Sequence, residues 1–303
     1  MRAAFVDAML AHAKRRDLFF LTGDLGFMAL EPLRDALGKR FINCGVAEQN
    51  MIGVAAGLAQ AGHEVWVYSI APFCYARPFE QIRNDLCFHS LPVRLVGNGG
   101  GYAYGVMGPT HHALEDYGAL LTLPGMTIVV PAGADDIPGA VATASAQRGP
   151  AYLRLGRDEF PEGVSLPSYR PWRRLRAGSG AVVIVCGPLA STVYSVVTQQ
   201  EKLDAELWVL SEMPLSEETF PEPLKARLAN GSPLLVIEEH REHGGVGMSL
   251  AHLLMKTGLA PGRFRTLCAR GYPSGRYGSQ AFHRRESGLD AVSFLAALQE
   301  LGP

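Results

Sequence analysis

The chain has 303 residues, with 28 Lys+Arg against 29 Asp+Glu and a formal net charge of -1. That balance lacks the basic excess of a nucleic-acid or membrane-surface protein, so neither is an expected partner. With 48% hydrophobic and 19% charged residues it can bury a sizeable core, and its length suits two domains of ordinary size.

The run from Met1 to Asp17 is an amphipathic stretch with an early acid, Asp7, unlike a signal peptide. Apolar runs at Leu18–Leu21, Val65–Tyr68, Val93–Val96 and Ile128–Val130 are expected as buried strands. Ala47–Gln60, Phe79–Phe88, Ala113–Leu121 and Asp135–Ala146 are expected as the helices between them. Strands apolar on both faces, alternating with helices, imply an α/β fold with a mostly parallel sheet covered by helices. Pro161, Pro167 and Pro171, with Arg170, Arg173, Arg174 and Arg176, then interrupt the pattern as a linker would. It resumes with strands at Ala181–Val185, Leu207–Leu210 and Leu234–Glu238, and helices at Leu189–Leu203, Gly247–Leu254 and Ala291–Leu301. The expected organisation is a domain over 1–160, a linker over 161–180 and a second α/β domain over 181–303.

Five cysteines, an odd number with no CxxC pair, suit a reducing cytosol. No apolar run approaches the length of a membrane span, so the expected location is cytoplasmic.

Three stretches of the first half hold candidate chemistry. Glu48 follows the Gly45-Val46-Ala47 turn and opens a helix rich in Gly and Ala. Its plainer reading is a carboxylate complementing the helix dipole; the other is a partly desolvated carboxylate suited to sharing a proton. Phe73 follows a strand end on a loop held by Pro72, either as a core residue or as a platform for a flat ring. His111, after Gly108-Pro109-Thr110, sits in a turn at the carboxyl edge of the sheet, where ligands bind.

In this order and spacing, GVAEQNM, SIAPF, FEQIR, GPTHH, LPGM and VVPA resemble the pyrimidine-binding domain of transketolases and deoxyxylulose-phosphate synthases over Met1–Arg157. The nearest resemblance is to split transketolases, whose halves are separate chains. VIEEHREHGGVGMSLAHLL is similar, more weakly, to the family's C-terminal domain. The resemblance implies a thiamine-diphosphate-dependent transferase that moves a two-carbon ketol unit from a ketose to an aldehyde or other acceptor. Glu48 matches the glutamate that binds the cofactor's aminopyrimidine ring, and Phe73 matches a position stacked on that ring, with Ile70 and Tyr75 as neighbours. Asp24 and Leu25, in TGDLG, resemble a segment beside the cofactor. His111 matches a histidine facing the reacting carbonyl and hydroxyls. Arg2 and Arg157 match positions that grip a substrate phosphate, a solvated surface arginine being the alternative.

The family's diphosphate and Mg²⁺ site needs a Gly-Asp-Gly motif, which this sequence lacks. A separate subunit carrying that domain is therefore implied, in an α2β2 heterotetramer, and this chain alone is expected to be inactive. His240 and His243 beside Glu238 and Glu239 have poor spacing for zinc, and no metal ligand is assigned. Met107 stands where the family has an Asp before Gly-Pro-Thr-His, Met28 where it has a phosphate-binding Ser, and Gly99 where it has a His. These departures imply a non-standard substrate, such as a nucleotide-linked sugar or a carrier-bound group. Two other readings share the fold: the β subunit of a 2-oxo-acid dehydrogenase, and a non-catalytic paralogue. Gly-Pro-Thr-His argues against the first, and retention of Glu48, Phe73 and His111 against the second.

Overall fold

The computed structural model describes residues 1–14, 18–200 and 203–302. Its first half contributes β1 (Leu18–Thr22), β2 (Phe41–Asn43), β3 (Glu64–Ile70), β4 (Val93–Asn98), β5 (Thr127–Val129) and β6 (Ala151–Leu155). These pair in parallel in the order β5-β6-β4-β3-β1-β2. The second half contributes β7 (Trp172–Arg176), β8 (Val182–Cys186), β9 (Glu206–Leu210), β10 (Glu212–Met213), β11 (Leu234–Glu238) and β12 (Phe264–Leu267). Five of them form a second sheet in the order β12-β11-β8-β9-β7, parallel except for β7 at the edge. The two-residue β10 instead joins the first sheet, antiparallel to β5.

Helices of the first half are α1 (Arg2–Ala13), α2 (Glu31–Leu37), α3 (Glu48–Gln60), α4 (Ala71–Tyr75), α5 (Phe79–Gln81), α6 (Asp116–Leu120) and α7 (Ile137–Ala146), with a π-helical run, Ile82–Cys87, continuing α5. The second half adds α8 (Ala190–Gln199), α9 (Glu222–Ala229), α10 (Val246–Thr257), α11 (Gln280–Ser287) and α12 (Ala291–Leu301). Along β3 the side chains alternate between faces, as a strand period of two requires. Trp66 and Tyr68 enter a core with Phe5 and Met9 of α1 and Ile137 of α7. Val65 and Val67 enter another with Met51, Ile52 and Ala55 of α3. Each fully buried aliphatic or aromatic side chain contributes about 1.5–3 kcal/mol, so both faces must be covered. The α3-side core continues into the second sheet through Ile184, Leu234 and Val236, and the opposite face of that sheet packs on Phe294 and Leu298 of α12.

The structure differs from the sequence expectation at several elements. The stretch expected as a linker carries β7, whose Arg173 is buried against Asp136 at 2.5 Å. Of the single helix expected over Ala113–Leu121, only Asp116–Leu120 is helical, because Ala113 instead pairs with Gly101 in a β-bridge. The helix expected over Leu189–Leu203 runs over Ala190–Gln199, and residues 201 and 202 lie outside the described residues. All five cysteines are free thiols.

Charges buried between the two sheets fix their relative placement. Asp116 accepts from Arg154 Nε at 2.7 Å and from the Tyr152 hydroxyl at 2.9 Å. Arg154 Nη2 also donates to the carbonyls of Ala113 and Glu239. Glu238 accepts from the Tyr117 hydroxyl and from the amides of Val246 and Gly247, so a carboxylate of β11 caps α10. Glu239 accepts from Tyr102 N and pairs with Arg284, which also binds Asp158. The Glu238-Glu239-His240 run is thus structural, with His240 stacked on Tyr117 at 3.8 Å.

Candidate active site

Strand order in the first sheet reverses direction between β1 and β3, and ligands of open parallel sheets bind at the carboxyl ends beside such a reversal. The candidate residues gather there. Gly23 follows β1, and a side chain on it would meet Glu48 Cγ at 3.6 Å. Glu48 is the first residue of α3 and only 2% exposed, where its charge complements the helix dipole.

Phe73, on α4 just past β3, presents one ring face to the Arg77 guanidinium, whose Cζ lies 3.7 Å from the ring centroid. The same guanidinium donates from Nη1 to Glu48 Oε1 at 2.7 Å. A planar N–H-bearing group therefore already lies on Phe73 with its edge at Glu48. That is the geometry an aminopyrimidine would use, so these residues fit one. His111 closes the third side, with its ring centroid 5.2 Å from that of Phe73 in an edge-on arrangement. Thr110 Oγ1 holds its Nδ1 at 2.8 Å. Burial, then the Arg77 charge, lowers the His111 pKa from 6.5, so the imidazole is neutral at physiological pH and able to accept a proton.

The His111 loop is shaped by Gly108, at φ +71, and clamped from the second half of the chain. Adjacent His112 is buried between Gly105 O and the Tyr272 hydroxyl, 2.8 Å from each, and packs on His283 and Tyr102. Desolvation pushes the His112 pKa down to about 4, so it stays neutral and serves as a spacer.

A basic patch lies beyond His111. The Tyr104 ring is 5.7 Å from the His111 ring, and Arg157 Cζ is 5.7 Å from Tyr104. The charges of both Arg157 and Arg2 bear on the Tyr104 phenol. Arg157 thus lies beside Tyr104, and Arg2, 155 positions earlier, acts on the same phenol through its charge.

Other residues singled out in the sequence are placed differently. Asp24 sits at φ +58 in the loop after β1 and exchanges hydrogen bonds with Asn43, while Leu25 O accepts from Thr22. Ile70 ends β3 just ahead of Phe73. Tyr75, two residues after Phe73 on α4, is buried; burial raises its phenol pKa, and Asp116, Glu115 and Arg154 bear on it. Met107 is exposed on the His111 loop. Among the described residues no group of three or more His, Cys, Asp or Glu could hold a metal. Sequence reasoning missed Arg77, Tyr104 and Asn98. The available signal was their spacing, Arg77 four residues after Phe73 on a helical stretch and Tyr104 seven before His111.

A family model described as the transketolase pyrimidine-binding domain matches residues 1–162. The chain belongs to the transketolase family. An apulose-4-phosphate transketolase subunit of Actinobacillus succinogenes is 32% identical to it over 276 residues, covering 88% of this chain and 86% of that protein. A 6-deoxy-6-sulfo-D-fructose transketolase subunit of Clostridium sp. is 27% identical over 316 residues, covering 99% and 94%. A solved split-gene transketolase, described as an inactive β4 tetramer, matches with a TM-score of 0.81 at 26% identity, over 99% of this chain and 97% of that one. The resemblance thus extends past the pyrimidine-binding half to both sheets, and this family member is similar to the separate subunits of split transketolases.

Proposed function

We propose that this chain is the pyrimidine-binding and C-terminal subunit of a two-component transketolase that transfers a two-carbon ketol unit between sugar substrates. The observation that carries the reading is the convergence of Glu48, Phe73 and His111 on one crevice at the strand-order reversal. Thiamine diphosphate, when bound, supplies the carbanion stabilisation that such a transfer needs. Glu48 would accept an N–H of the pyrimidine from its buried position, and Phe73 would stack on the ring once Arg77 yields the face. Asp24, Leu25 and Ile70 would line the approach to it. The neutral His111 would take and return protons at the substrate hydroxyls, and Arg2 and Arg157 would hold the far end of the substrate.

The diphosphate and Mg²⁺ fall to a partner chain with the Gly-Asp-Gly domain, in an α2β2 assembly. Phe27, Met28, Val46, Val106 and Met107 are each more than half exposed on loops around the crevice, an apolar rim suited to that partner. The organisation we favour is a pyrimidine-binding unit over 1–160, a connecting segment over 161–180 that adds β7 to the edge of the second sheet, and a C-terminal unit over 181–303. A reducing cytoplasm suits the free thiols, and no described helix is long and apolar enough to cross a membrane. Met28, Gly99 and Met107 support a substrate other than the common pentose phosphates, and relatives are named for apulose 4-phosphate and a sulfonated fructose. The transketolase relatives do not favour the 2-oxo-acid dehydrogenase reading.

Calorimetric titration with thiamine diphosphate and Mg²⁺ tests the proposal. Tight binding is expected from a mixture of this chain with a partner that carries Gly-Asp-Gly, weak or no binding from this chain alone, and loss from the mixture on Glu48→Ala. Binding that survives Glu48→Ala would refute the assignment of the site.

A further inference from the structure

Gly99 and Tyr104 form a unit whose purpose the pyrimidine site does not explain. Gly99 follows β4 at φ +80, and a Cβ built on it would lie 2.2 Å from Tyr104 Cε2 and 2.5 Å from Cδ2. The Tyr104 ring therefore occupies the volume that a side chain at 99 would fill, and only glycine permits both the backbone and the ring. Asn98 Nδ2 donates to the Tyr104 hydroxyl oxygen at 2.8 Å. With its oxygen already accepting, the hydroxyl keeps its own proton for an outside acceptor.

The surroundings specify that acceptor. Arg157 Cζ lies 5.7 Å from the ring centroid, and the charges of Arg157 and Arg2 both bear on the phenol. Burial, partly offset by Asn98 and by those two charges, raises the phenol pKa, so it is a neutral donor at physiological pH. The ring is half-buried and borders His111, so a group held by it lies alongside the reacting end of the crevice.

We propose that the Tyr104 hydroxyl, acting with Arg2 and Arg157, donates a hydrogen bond to the anionic end group of the sugar, a phosphate or sulfonate oxygen, in place of the side chain missing at Gly99. This rests on the transketolase reading for the identity of the substrate but not for the anion site itself. Tyr104 is then a specificity-determining residue that favours sugars ending in an oxyanion. The site selects them through one neutral and two cationic donors.

Tyr104→Phe removes one oxygen and leaves the ring on Gly99. In the two-subunit enzyme, calorimetric titration with inorganic phosphate should give binding about tenfold weaker in the variant than in the wild type, since a hydrogen bond to a charged group is lost. The melting temperature should be unchanged. With fructose 6-phosphate and 6-deoxy-6-sulfofructose as separate donors, the variant should raise KM rather than lower kcat, and the larger effect identifies which end group the enzyme uses. Equal phosphate affinity in wild type and variant, or no phosphate binding to the wild type, overturns the assignment. A loss confined to kcat overturns it too, placing Tyr104 in the chemistry instead. Phosphate binding that depends on Tyr104, in a two-subunit mixture that binds no thiamine diphosphate, would leave the anion site standing and refute the transketolase reading.

Discussion

Arg77 joins the three residues that define the crevice: it covers Phe73, pairs with Glu48 and places its charge near His111. Its side chain is partly exposed while that of Glu48 is buried, so the pair is anchored at the acid and free to open at the base. A flat ring stacking on Phe73 would take the same face, and Arg77 would swing outward. The charge effect can be measured on this chain by itself. Removing a nearby cation favours imidazolium, so Arg77→Met should move the His111 pKa upward, part of the way to 6.5, since burial is the larger cause of its lowering. Titration of the imidazole resonances by NMR reads this directly; an unmoved pKa would mean that the two side chains do not share the crevice in solution. Glu48, Phe73 and His111 were legible in the sequence because each sits in a motif. Arg77 and Tyr104 were not, because an arginine or a tyrosine on a loop or short helix looks the same whether it faces solvent or a site.

Most strands and helices were legible from the alternation of apolar runs, and β11 and α12 fall where they were expected. The central strand β6 was not, because Arg154 in Ala-Tyr-Leu-Arg-Leu reads as an exposed charge and is in fact buried against Asp116. Short elements such as β2, α4 and β10 have too few residues to show a period, and β7 hid among prolines and arginines. At the other end of the first sheet, Glu64 on β3 joins α1 to α7. Desolvation opposes its charge, but bonds from His12, Trp66 and Ser145 outweigh it and lower the Glu64 pKa from 4.5 to about 2. The sign follows from linkage: stability from a depressed carboxylate is present above pH 4.5 and drains away as pH falls toward 2. The difference in unfolding free energy between the wild type and Glu64→Gln should therefore shrink on acidification through that window, followed by Trp fluorescence in urea. A difference independent of pH would mean the carboxylate is not held by those bonds.

The whole molecule is held by charges buried between its halves. Arg154 and Asp116 are nearly inaccessible, and Arg154 also reaches the Glu239 carbonyl at the end of β11. Removing one member leaves the other charged and unpaired, so Arg154→Met should destabilise the chain by about 3–5 kcal/mol in urea unfolding. Arg154→Met combined with Asp116→Leu should recover much of that loss. A loss under about 1 kcal/mol would mean that water reaches the pair. The same junction matters for function, because the loop bearing Tyr104 and His111 leaves β4 and is clamped by Tyr272 and His283 from the other half.

By itself the sequence determined the α/β class, the alternation of strands and helices, the family and three residues of its crevice. Those follow from local periodicity and from motifs that are continuous along the chain. Only the tertiary structure decided that Arg77 lies between Phe73 and Glu48, that Tyr104 fills the space over Gly99, and that Arg157 lies beside Tyr104. It also decided that Glu238 and Glu239 serve the junction rather than a site. The physical reason is that these contacts join residues distant along the chain, so the environment of each charge depends on what the fold packs against it. Whether an arginine is a surface charge, a buried anchor or a ligand donor is set by that environment and not by its neighbours in sequence.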